Sequence, residues 1–158
     1  MKRNTIATLL LVLALCLTLC ACGGKKEEAK AVDLDALGAE LTAGELFSDT
    51  MSQPAEGLAA RLYGFNEADV ARCVLYTGTG NTAEEIFLAE AVSADAAANL
   101  KAACETRVEN QKQVFERYSP EDIAKLDDAV VAVQGNYVVL VVSGDSAAAR
   151  QIVESALG

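Results

Sequence analysis

Hydrophobic positions recur along this chain at two spacings, and the change of spacing marks the elements. Leu34, Leu37 and Leu41 lie three and four apart, so they share one face of a short helix that Asp33 or Asp35 can cap. A second helix is predicted from Pro54, a residue suited to a first turn, through Leu58, Ala59 and Leu62 to a stop at Gly64. Val70 to Thr77 then alternates as a strand does. Thr77-Gly78-Thr79-Gly80-Asn81 has the composition of a turn. Glu84 to Val92 is read as a strand returning antiparallel to the first, with a short helix as the alternative.

The longest helical period runs from Ala94 to Tyr118. Ala97, Leu100, Cys104, Val108, Gln111, Phe115 and Tyr118 fall on one face, Ser93 or Asp95 can cap the start, and Ser119-Pro120 stops it. Glu121 to Leu126 adds a turn. Ala129 to Val133 and Tyr137 to Val142 read as strands reversed at Gly135-Asn136. A last helix, capped by Asp145 or Ser146, turns Ala149, Ile152, Val153 and Ala156 inward. The order ααββαββα predicts an α+β fold, with an antiparallel sheet of about four strands and helices packed on one face.

The amino terminus follows a different logic. Lys2 and Arg3 precede an uncharged stretch from Ile6 to Ala21 with a leucine-rich centre, which is the layout of a signal peptide. Leu19-Cys20-Ala21-Cys22 resembles the lipobox of bacterial lipoproteins. That resemblance implies cleavage before Cys22 and a diacylglycerol thioether on its sulfur. Cys20 is the rival position, but bulky Leu19 precedes it where a small residue is expected. The expected organisation is a signal peptide at 1–21, a lipidated cysteine and flexible tether at 22–32, and one globular domain at 33–158. The membrane is then a partner through the lipid on Cys22, and the domain stands on the extracytoplasmic face of the cell membrane. Two acyl chains suffice for stable anchoring. An uncleaved signal anchor is the competing reading.

Charge and composition narrow the function. Without Lys2 and Arg3 the chain keeps 11 basic residues against 23 acidic ones, a net charge of −12. Such a surface repels phosphate backbones, and no basic patch offsets it, so no nucleic-acid partner is expected. Histidine is absent, which removes the commonest general base and zinc ligand. No Gly-Lys-Ser/Thr motif accompanies the two turn glycines, and no calcium-loop pattern accompanies the paired acids Glu121-Asp122 and Asp127-Asp128. No catalytic residue, cofactor or metal is assigned. Cys73 and Cys104 form either a disulfide or two small core residues.

Ala83-Glu84-Glu85-Ile86, Arg107, Gln111, Phe115, Tyr118-Ser119-Pro120 and Gly135-Asn136-Tyr137-Val138 resemble a family of small lipoproteins from Gram-positive anaerobes, known as a domain of unknown function. The likeness covers residues 32–155. It implies export and lipid anchoring, and it implies no activity. Arg107 borders the apolar stripe of the long helix and Gln111 lies on it. A buried arginine requires an acidic partner; Glu84, Glu85 and Glu109 are at hand, though Glu109 is only two positions away on the helix and points elsewhere. Arg107, Gln111, Tyr118 and Tyr137 are therefore the polar residues to follow, as an ion pair fixing helix to sheet or as the edge of a ligand site. Glu84 and Glu85 are strand neighbours pointing opposite ways, and do not form a paired acid and base. The expected function is a membrane-anchored, non-enzymatic binding domain for an envelope protein or small ligand. The alternative is a histidine-independent cell-envelope hydrolase using carboxylates.

Overall fold

A computed structural model describes residues 31–158. The expected signal peptide at 1–21 and Cys22 lie outside the described residues. Helix α1 (Leu34–Ala43) is capped by Asp33, whose Oδ1 accepts the amides of Asp35 and Ala36, both at 3.1 Å. Helix α2 (Leu58–Tyr63) is shorter than the sequence suggests. Its start is set by Gly57 at φ +77°, so Pro54 stands in the preceding loop and not in the first turn. Strands β1 (Val70–Thr77) and β2 (Glu85–Ala91) follow. Helix α3 (Ala94–Phe115) is capped by Ser93 and buries Ala97, Leu100, Cys104, Val108, Gln111 and Phe115. It ends at Phe115, not Tyr118. Helix α4 (Glu121–Asp127), strands β3 (Val130–Gln134) and β4 (Tyr137–Val142) and helix α5 (Ser146–Leu157) complete the domain, with Asp145 capping α5.

The fold is α+β, with a four-stranded antiparallel sheet in the order β1-β2-β4-β3. The helices are divided between its two faces, where the patterning suggested one. Phe87, Ala89, Val138 and Leu140 pack under α3 with Leu100, Cys104 and Val108. Ile86, Leu88, Val139 and Val141 pack under α1 and α5 with Leu34, Leu37, Leu41 and Val153. The cause lies in the central strands. Ile86-Phe87-Leu88-Ala89 and Val138 to Val142 are apolar without alternation, and strands of that kind need cover on both sides. Each large side chain so buried stabilises the fold by about 1.5–3 kcal/mol. The sheet therefore sits between two helical layers, and only at its ends do polar side chains reach it.

Candidate functional site

Two glutamates stand where the β1–β2 turn enters β2. Both are 2% exposed. Successive residues of an extended chain point to opposite sides, so the two carboxylates are handed to different partners.

Glu85 takes the α3 side. Arg107 donates to it twice, Nε to Oε1 at 3.1 Å and Nη2 to Oε2 at 2.7 Å. The Tyr63 hydroxyl donates to Oε1 at 2.5 Å, and Gln111 Nε2 donates to Oε2 at 3.2 Å. Four donors fill the lone pairs of one buried carboxylate. Tyr63 arrives from the end of α2 with its ring stacked on Phe87, 4.2 Å between centroids, and Arg107 lies 5.9 Å from the Tyr63 ring centre. Burial opposes the guanidinium charge, but the hydrogen bonds and charge of Glu85 outweigh it and hold the Arg107 pKa above its usual value. Burial, then the Glu85 charge, pushes the Tyr63 phenol well above its usual range. The phenol remains a donor at any physiological pH.

Glu84 fastens the loop after α1. Ser48 N donates to both its oxygens (2.9 and 3.0 Å), Ser48 Oγ to Oε1 (2.8 Å) and Asp49 N to Oε2 (2.8 Å). Lys125 of α4 donates to Oε1 at 2.9 Å and lies 3.0 Å from Asp122 Oδ1. Burial alone would raise the Glu84 pKa. The Ser48 amide, Lys125 and the Asp49 amide reverse this and hold it below the usual carboxylate range. Asp49 in turn accepts Thr79 N at 2.7 Å and Thr79 Oγ1 at 2.8 Å, which shapes the β1–β2 turn. A Cβ at Gly78 would stand 2.6 Å from Asp49 Oδ2, so any larger residue there must displace this carboxylate from Thr79.

Above the two carboxylates lies an open cleft of about 570 Å³ between the turn and the outer end of α3. Thr77, Gly78, Thr79 and Gly80 form one wall; Arg107, Asn110, Gln111, Val114, Phe115 and Tyr118 form the other. Val114 and Tyr118 are 61% and 62% exposed. Tyr118 packs edge-on to Phe115 and its hydroxyl lies 3.5 Å from the Gly80 carbonyl, across the mouth.

Arg107, Gln111 and Tyr118 thus meet in one cleft. Tyr137 does not join them; it is buried among the α1 and α5 contacts on the other face. Cys73 and Cys104 are both free thiols, and no bridge joins them: Cys104 is buried under α3, while Cys73 is exposed on the edge strand β1. Both glutamates line the same cleft although they serve different partners. Tyr63, Ser48, Asp49 and Lys125 carry no local sequence signal that ties them to the glutamates. Their contacts to the two glutamates span 22 to 41 residues, beyond the reach of local spacing. Among the described residues no group of three or more cysteine or acidic side chains is placed to hold a metal ion.

The family described as a domain of unknown function, DUF4358, matches residues 45–143. The chain belongs to this family. The DUF4358 match opens in the loop that Glu84 fastens and closes one residue after β4, so the whole cleft falls within it. Helices α1 and α5, which cover the opposite face of the sheet, lie outside it. No curated protein and no solved structure matches the chain.

Proposed function

We propose that the chain is an extracytoplasmic lipoprotein, anchored through lipid on Cys22, whose DUF4358 domain binds a small organic molecule in the cleft between α3 and the β1–β2 turn. The observation that carries the binding role is the contrast between the cleft's wall and its floor. Its outer wall exposes Val114 and Tyr118 to water, while both carboxylates of its floor are saturated by donors from the protein. Exposed apolar surface invites an occupant; saturated carboxylates are poor nucleophiles and poor proton acceptors. The volume lies in the range of small-molecule sites, and Asn110, Gln111 and the threonine hydroxyls supply the few polar groups that orient a ligand. Anchoring is supported by Leu19-Cys20-Ala21-Cys22 following an apolar run.

The carboxylate-hydrolase reading draws on the presence of two glutamates in one cleft. It would require one of them to release donors it now holds. The two readings separate in one experiment. Low-molecular-weight envelope fractions are titrated into the isotope-labelled protein. Binding without chemistry perturbs amides of residues 77–82 and 107–118 and leaves the compound unchanged, and V114S/Y118A abolishes the response. Conversion of the compound, lost on replacing Glu84 or Glu85 in a folded variant, would overturn the binding role. Anchoring is tested separately: lipid labelling should vanish in Cys22→Ala, and persistence would move the lipid to Cys20.

A further inference from the structure

The two edges of the sheet are built differently. Edge strand β1 is protected. Its register slips between Val70 and Arg72, Arg72 is ion-paired with Asp35, and Ser52 pairs with Thr77 along its outer side. A bulge, a charge and a covering segment are the devices that keep a strand edge from pairing further. Edge strand β3 has none of them. Its sequence, Val130-Val131-Ala132-Val133-Gln134, is uncharged and β-branched, its register with β4 is unbroken, and Val133 is 38% exposed. Among the described residues no other strand pairs with it.

We infer that β3 is a dimerisation edge, which pairs antiparallel with β3 of a second copy and joins two four-stranded sheets into one of eight strands. The register follows from the hairpin. A two-residue reversal at Gly135-Asn136 makes Gln134 and Tyr137 the closing hydrogen-bonded pair, so alternation turns the amides and carbonyls of Val131 and Val133 outward. Two copies use all of these groups when Val131 of one faces Val133 of the other. The two-fold axis then passes through the Ala132 pair, a close non-hydrogen-bonded position where a small side chain fits. Charge agrees with this register. The chain is strongly acidic, yet between 128 and 136 the only charged residue is Asp128, and it lands opposite Asn136 of the second copy. No like charges meet along the new ladder. The exposed Val133 side chain is covered by Val131 of the partner strand.

The test uses the full-length chain in detergent. Sedimentation at high micromolar concentration should give a dimer that dissociates on dilution. V133K puts an ammonium at an exposed position of the edge, and is expected to weaken that dimer at least about tenfold while the circular dichroism melt stays cooperative. In a background with Cys16, Cys20, Cys22 and Cys73 replaced by serine, A132C should oxidise to a cross-linked dimer, and a V92C control, at an exposed position off the proposed axis, should not. A chain that sediments as a monomer and gives no A132C dimer overturns the inference. So does a dimer indifferent to V133K and not cross-linked by A132C, which uses another surface. A cross-link of A132C to a different polypeptide would mean that the edge takes an extended segment of another protein, and would also overturn pairing with a second copy.

Discussion

Removing the guanidinium from Arg107 should destabilise the domain far more than loss of a surface ion pair, and the structure sets the size of the effect. Arg107→Met keeps an apolar stem and deletes two charge-assisted hydrogen bonds to a carboxylate that is 2% exposed. Breaking a buried pair by removing one partner costs about 3–5 kcal/mol, because the other charge is left behind. Two features lower that figure here. Tyr63 and Gln111 still donate to Glu85, and Arg107 lines the cleft, so shortening it opens Glu85 towards solvent. The expected loss is therefore about 2–3 kcal/mol. In the double variant R107M/E85Q the stranded charge is gone, and the two changes should be strongly non-additive, with at least about 1 kcal/mol recovered. Urea unfolding followed by circular dichroism at neutral pH measures both quantities through the midpoint and slope. A single-variant loss below about 0.5 kcal/mol would place the pair among exposed salt bridges and refute the reasoning.

Acid should act through Glu84 and Asp122, both held below their usual pKa in the fold. The unfolded chain then binds more protons, so their contribution is complete above the unfolded value, 4.5 for a glutamate, and is lost as pH falls through the folded one. Glu84→Gln should lower stability at neutral pH and flatten the acid limb of a stability titration; an unchanged limb would exclude Glu84 as its source. The two domain thiols should react unequally. Burial raises both thiols, Cys104 up to about 12, but only Cys73 is exposed, so a disulfide reagent at mildly alkaline pH should label Cys73 in the folded protein and Cys104 only on unfolding; equal rates would contradict the burial.

Local patterns in the sequence carried the elements well where caps and periods coincide. The Ser93 cap and the apolar stripe from Ala97 to Phe115 define α3, and Tyr137 to Val142 is the strand the apolar run suggests. The misplaced start of α2 has a physical cause. Pro54 is compatible with a first turn, but the left-handed glycine at 57 decides where the helix begins. The signal for helices on both faces lies in the unalternating β2 and β4, because strands of that kind leave no face for solvent. Of the cleft, Arg107 was legible because a cation bordering an apolar stripe demands a partner. The Glu84 arrangement was not, because Ser48 lies in a loop with no periodicity of its own and Lys125 sits on a seven-residue helix.

The contact between Ser48 and Lys125 decides how that second glutamate should be understood. Lys125 Nζ lies 3.2 Å from Ser48 Oγ, a distance at which a neutral lysine could remove the hydroxyl proton. Here the lysine is not neutral. Burial works against its charge, but the hydrogen bonds of Glu84 and Asp122 prevail and hold its pKa above the ordinary value of 10.5. At neutral pH fewer than about one molecule in three thousand would present the free amine. The serine proton points instead to Glu84, whose pKa is lowered, so it is a weaker base than an ordinary carboxylate. The amides of Ser48 and Asp49 are both directed at the same carboxylate and so are not free to hold a developing oxyanion. Every group that a serine mechanism would need is thus engaged in holding the 48–49 loop to α4 and to the start of β2. That loop carries Asp49, and Asp49 sets the turn that forms one wall of the cleft. Glu84 therefore shapes the cleft from beneath through the loop, as Glu85 does through α3, and the two buried charges fix the spacing between its walls.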